Sequence, residues 1–77
     1  MAILSDAALT WSAPITLTVD EVWQTRQGRV FVTTTASPDA DDGIELLENH
    51  AVRFTAGLNV RYRKTGAVDA RIVREAV

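Results

Sequence analysis

An all-β fold is the class this chain predicts: a small single-domain antiparallel sandwich or barrel of about six to seven short strands, with an N-terminal arm. Three observations carry it. Apolar side chains recur at about every second position in several short runs, the period at which a strand presents alternate residues to opposite faces. Glycine- and Asp-rich turn signals separate those runs, at strand spacings of roughly 8–12 residues. No stretch repeats its apolar residues with a helical period; a short helical turn near Ser5 to Leu9 is the sole candidate.

Residues 1 to 14 show no periodicity and end at Pro14, so they read as an arm or short edge segment that carries Trp11; residues 15–77 form the domain. Ile15 to Val19 alternates apolar residues with threonine, both strand-favouring classes. Val22 to Thr25 resumes as a second strand or a bend from the first, and Arg26 to Arg29 turns around Gly28. Arg29 to Thr35, rich in β-branched residues, is the clearest strand of the chain. Ala36 to Gly43 is a loop. Ile44 to Leu46, Ala51 to Thr55, Asn59 to Arg63 and Ala70 to Arg74 complete the set, with a turn tip at Glu48–Asn49 and glycines at 57 and 66.

At 77 residues one core is the limit, and a chain this short buries only about 60–65% of the surface its unfolded form exposes. Small domains offset that with disulfides, a metal or association. There is no cysteine and one histidine, His50, so self-association or docking on a larger assembly is the expected source of further burial. The absence of cysteine fits synthesis in a reducing cytoplasm. A net charge of −2 argues against a general nucleic-acid binder. No apolar run approaches the ~20 residues that span a bilayer, and no basic segment precedes an apolar block as in a secretory signal.

Charge is unevenly distributed. Residues 1–51 carry a balance of −6 and residues 52–77 a balance of +4. Such segregation suits head-to-tail contact between copies, and equally suits neutralisation across one sheet.

Residues that bear chemistry are few. The acidic loop Asp39-Ala40-Asp41-Asp42-Gly43, with Glu45 beyond it, supplies oxygens of the type calcium prefers. Its glycine is misplaced for an EF-hand, and a solvated turn is the expectation. Arg53, Arg61, Arg63 and Lys64 interleave with Phe54 and Tyr62. On one strand Arg61 and Arg63 share a face opposite Val60 and Tyr62, which suits ion pairing more than base stacking. Trp11 and Trp23 read as apolar anchors in a core or interface, or as a platform for sugar rings. No nucleophile elbow, phosphate loop or dinucleotide fingerprint is present. No enzyme, cofactor or metal centre is therefore expected.

The succession Val22-Trp23-Gln24, Val30-Phe31-Val32-Thr33-Thr34, Asp42-Gly43-Ile44-Glu45-Leu46, Val52-Arg53-Phe54, Gly57-Leu58-Asn59-Val60-Arg61-Tyr62-Arg63 and Arg74-Glu75-Ala76-Val77 resembles small structural proteins of tailed bacteriophages. The resemblance covers most of the chain after Pro14 and implies a compact β-sandwich located in the virion. It implies a capsid-decoration, head-fibre or tail-associated subunit, with identical copies meeting on a symmetry axis, and no catalytic residue. The expected partners are other copies of the chain, a trimer preferred, and capsid or tail proteins. Trp11 and Trp23 would serve as contact anchors, with Arg53, Arg61 and Arg63 facing a neighbour's acids. The alternative is a glycan-binding β module.

Overall fold

A computed structural model describes residues 2–77. Eight strands are present, with no helix among the described residues: β1 (Ala2–Leu4), β2 (Ile15–Thr16), β3 (Glu21–Gln27), β4 (Val30–Thr33), β5 (Ile44–Leu46), β6 (Ala51–Phe54), β7 (Asn59–Lys64) and β8 (Arg71–Ala76). They form two four-stranded antiparallel sheets, sheet 1 in the order β1-β8-β3-β6 and sheet 2 in the order β2-β7-β4-β5. The all-β class read from the sequence holds, with one strand more than the alternation marks.

Period-two patterning explains how the sheets face each other. In β3, Glu21, Trp23 and Thr25 are buried while their neighbours are not; in β7, Val60 and Tyr62 point inward and Arg61 and Arg63 outward. The core joins Trp23, Phe54 and Ile72 of sheet 1 to Val30, Val32, Leu46, Val60 and Tyr62 of sheet 2. Trp23 lies at its centre, fully buried, with Phe54 and Tyr62 edge-on at 5.5 and 6.1 Å between ring centroids. Such T-shaped contacts add to the area the rings bury.

Two local details depart from the expected boundaries. The run Ile15–Val19 stays paired only as far as Leu17, whose N–H and carbonyl bond Leu58 and Gly57. Leu17 fills the core, and the chain then turns towards sheet 1, leaving Val19 exposed. The helical turn considered at Ser5–Leu9 does not form. That stretch is extended beside β7, whose Lys64 N–H donates to the Ala8 carbonyl at 2.8 Å. Residues 2–16 thus begin on the edge of sheet 1, against β8, and finish on the edge of sheet 2, against β7.

The β3–β4 turn requires its glycine. Gly28 has φ +71°, and a Cβ there would stand 2.8 Å from the Asp69 carbonyl oxygen, closer than real side chains approach. A register shift between Thr25 and Gln27 precedes it, as bulges often do where a strand leaves its sheet.

Candidate functional site

Of the five residues expected at a contact surface, the structure brings two together. Arg63 projects from the outer face of sheet 2, opposite Phe31 on β4. Its guanidinium lies 4.4 Å from the Phe31 ring centroid and 5.3 Å from that of Trp11, a cation held between two aromatic rings. Arg63 Nη2 donates to the Ala40 carbonyl, and Trp11 Nε1 donates to the Asp39 carbonyl at 2.9 Å. Gly43 lies beneath: φ is +101°, and a Cβ would meet the Val32 carbonyl at 2.7 Å and the Trp11 ring at 3.1 Å. One guanidinium therefore clasps the 34–43 loop and the Trp11 segment onto the same sheet face.

Arg61 sits nearby on that face and donates to the Ser12 carbonyl at 3.1 Å. Arg53 stands on sheet 1 and pairs with Asp20 at 3.2 Å. Trp23 is a correction as a contact anchor: it is wholly inside the core, because its period on β3 turns it inward, and it offers no ring to a neighbour or a sugar.

The acidic loop is organised by its own chain. Asp39 N–H donates to the Asp42 carboxylate at 2.8 Å, and Asp42 N–H to the Asp39 carbonyl at 3.1 Å. Among the described residues no three acidic, histidine or cysteine side chains converge as a metal site would require.

The inner face carries a polar group that the sequence reading passed over. Arg74 Nε and Nη2 donate to both Glu21 oxygens at 2.9 and 3.0 Å, and Trp23 Nε1 donates to Glu21 at 3.0 Å. The Arg74 guanidinium also stands 5.3 Å from the Trp23 ring centroid. The bidentate Arg74 pair holds the Glu21 carboxyl below the usual range; burial opposes this and the Trp23 bond adds to it. The signal was available: Glu21 is two residues before Trp23 and Arg74 two after Ile72, so both occupy inward positions. A charge there needs a partner of opposite sign.

Among the described residues the surface holds several concavities, of which two bear on the sites above. The larger, about 400 Å³, lies along the N-terminal segment and is lined by residues that include Asp6, Thr10, Trp11, Ser12 and Tyr62. Within it the Tyr62 hydroxyl donates to Asp6 at 2.6 Å. Burial, with Asp6 alongside, pushes the phenol pKa up to about 12. The second, about 300 Å³, is formed on the outer face of sheet 1 by Ile3, Arg26, Gln27, Arg71 and Val73. No family model, no curated protein and no solved structure matches the chain.

Proposed function

We propose that this chain is a non-enzymatic structural subunit that works by self-association, in the manner of the small tailed-phage virion proteins it resembles. In that reading it is a capsid-decoration or head-fibre subunit, trimeric by preference, seated on capsid or tail proteins. The observation that supports it is where apolar side chains remain uncovered. Ile3 on β1 is 51% exposed and Ile44 on β5 is 55% exposed, and β1 is one edge strand of sheet 1 and β5 one edge strand of sheet 2. An outermost strand also presents unpaired N–H and carbonyl groups along its free side. Light scattering of the purified protein across a concentration series tests the reading, with a trimer or larger ring expected. A monodisperse monomer at every concentration, which also fails to sediment with capsid or tail proteins, removes it.

A glycan-binding role is the second reading, favoured by the 400 Å³ cleft. It is lined by Trp11, Asp6, Thr10 and Ser12 among others, a combination of apolar and polar residues that sugars use. Because Trp23 is sealed in the core, Trp11 alone would report binding. Intrinsic fluorescence that stays unchanged through a glycan titration removes this role.

A further inference from the structure

Two surfaces of this molecule carry charge that no ion pair among the described residues neutralises. On sheet 1, Arg26 and Arg71 flank the Ile3–Val73 cleft. Both are exposed, and the ion pairs among the described residues involve Arg53, Lys64 and Arg74 instead. On sheet 2, the edge strand β5 and the turn after it expose Ile44, Glu45, Leu47 and Glu48, with Ile44 on the inner side of the strand and Glu45 on its outer side. Neither glutamate has a cationic partner among the described residues. The cleft thus joins apolar side chains to two arginines, the β5 edge joins apolar side chains to two glutamates, and the two charges are opposite in sign.

We infer that these are the two halves of one head-to-tail contact: the acidic Ile44–Leu47 edge of one copy seats against the basic Ile3–Val73 cleft of the next. The inference rests on the self-association reading above and names the surfaces that carry it. A second copy is the occupant because each chain supplies both surfaces in equal number, and the whole chain carries only −2, so copies repel weakly. A two-fold contact through either surface alone would set like charges against each other, which repulsion disfavours. The contact so proposed is heterologous, and a chain of such contacts closes into a ring when its rotation permits. A trimer is the smallest ring beyond a pair.

Charge reversal tests this on the full chain. Arg26→Glu with Arg71→Glu makes both surfaces acidic; Glu45→Arg with Glu48→Arg makes both basic. All four residues are exposed, and circular dichroism confirms that each variant is folded. By light scattering each variant alone is expected to remain monomeric at concentrations at least tenfold above those at which the native chain assembles. Their equimolar mixture is expected to regain association as alternating pairs and even-numbered assemblies, since opposite charges meet at each contact between unlike variants, whereas a three-membered ring would keep one like-charged contact. A native assembly that weakens about tenfold between low salt and 0.5 M salt gives the same reading without substitution.

Variants that assemble as well as the native chain overturn this contact and leave self-association intact. So does a mixture that stays monomeric after both variants have lost assembly. A native chain that is monomeric throughout overturns the contact and the self-association reading together.

Discussion

The outer faces of the two sheets make an instructive contrast. That of sheet 2 is covered by its own chain, with the Trp11 side chain and the 34–43 loop drawn over Phe31 by Arg63. That of sheet 1 opens to solvent at a cleft where Ile3, Val73 and two unpaired arginines meet. Both faces alternate apolar and charged residues, so composition alone does not separate them. What separates them is that both ten-residue connections, β1–β2 and β4–β5, are drawn onto sheet 2. Ten residues join β4 to β5, and only Gly28 and Arg29 join β3 to β4. A covered face contributes to the stability of one molecule; an open face is free to contribute to the contact between two.

Substitution of one arginine on each face sharpens this contrast. Arg63→Ala removes two cation–aromatic contacts and the bond to Ala40, and is expected to cost about 2–3 kcal/mol in urea unfolding. It should also speed amide exchange in the 34–43 loop. Arg71→Ala on the open face should change monomer stability by no more than about 0.5 kcal/mol. Equal costs would break the comparison.

A glycine pair comes next. Gly43 and Gly57 both have positive φ, +101° and +89°, but only Gly43 sits under packed atoms; nothing stands within 4 Å of a Cβ at Gly57. Gly43→Ala should cost about 2 kcal/mol and Gly57→Ala about 1 kcal/mol, the latter being backbone strain alone. Thermal melts of the two variants distinguish them.

The pH response probes what lies between the faces. The Glu21 carboxyl is held low by Arg74, and the Asp20 carboxyl is held low first by the Ala56 N–H and then by Arg53. A folded-state pKa below the unfolded value stabilises above the unfolded value, and that contribution is lost as pH falls through the folded one. The urea midpoint should therefore hold steady near pH 6 and fall on acidification below about pH 4.5. Glu21→Gln should lower the plateau and flatten the fall. A midpoint that is flat to pH 2 in the native protein would rule out the Glu21–Arg74 pair as a stabiliser.

The smallest effect is spectroscopic. Tyr62 is the single tyrosine of the chain, so ultraviolet titration reads it alone. Its phenol should ionise near pH 12, against about 10 for a free tyrosine. A raised folded pKa stabilises below the unfolded value, and that share is lost as pH rises from about 10 to 12. Asp6→Asn should move the titration downward. No movement would mean that burial alone sets the shift and that Asp6 does not tie the N-terminal segment to Tyr62.

Much of the fold was legible because alternation is a local signal. Residues 22–25, 30–33 and 59–63 read as strands from their own side chains, and glycines 28 and 57 mark turns where φ is positive. Strand β1 was not legible: Ala2–Leu4 has three residues and no alternation, and is a strand only because β8 offers it a ladder. Trp23 was placed at a contact because its residue type suits one; its inward period on β3 was the stronger signal. The clasp around Arg63 lay beyond local reading, since it joins residues 11, 31, 40 and 63 from four separate segments. The Glu21–Arg74 pair was readable only by asking which charges fall on inward positions.

The pairing of β1 with β8 bears on how the molecule is made. Residues 2–4 find their ladder on residues 72–74, and β8 lies between β1 and β3, so sheet 1 lacks one of its two inner strands until β8 has been synthesised. Closing so long a loop is slow relative to local pairing. Protease resistance of ribosome-stalled chains should appear only once Ala76 has cleared the ribosome, and earlier resistance would show that sheet 2 folds alone. Until β8 is made, then, Trp23 and Phe54 have half a sheet to shelter them, and the nascent chain's exposure to proteases and to its neighbours on a polysome is set by the arrival of that six-residue strand.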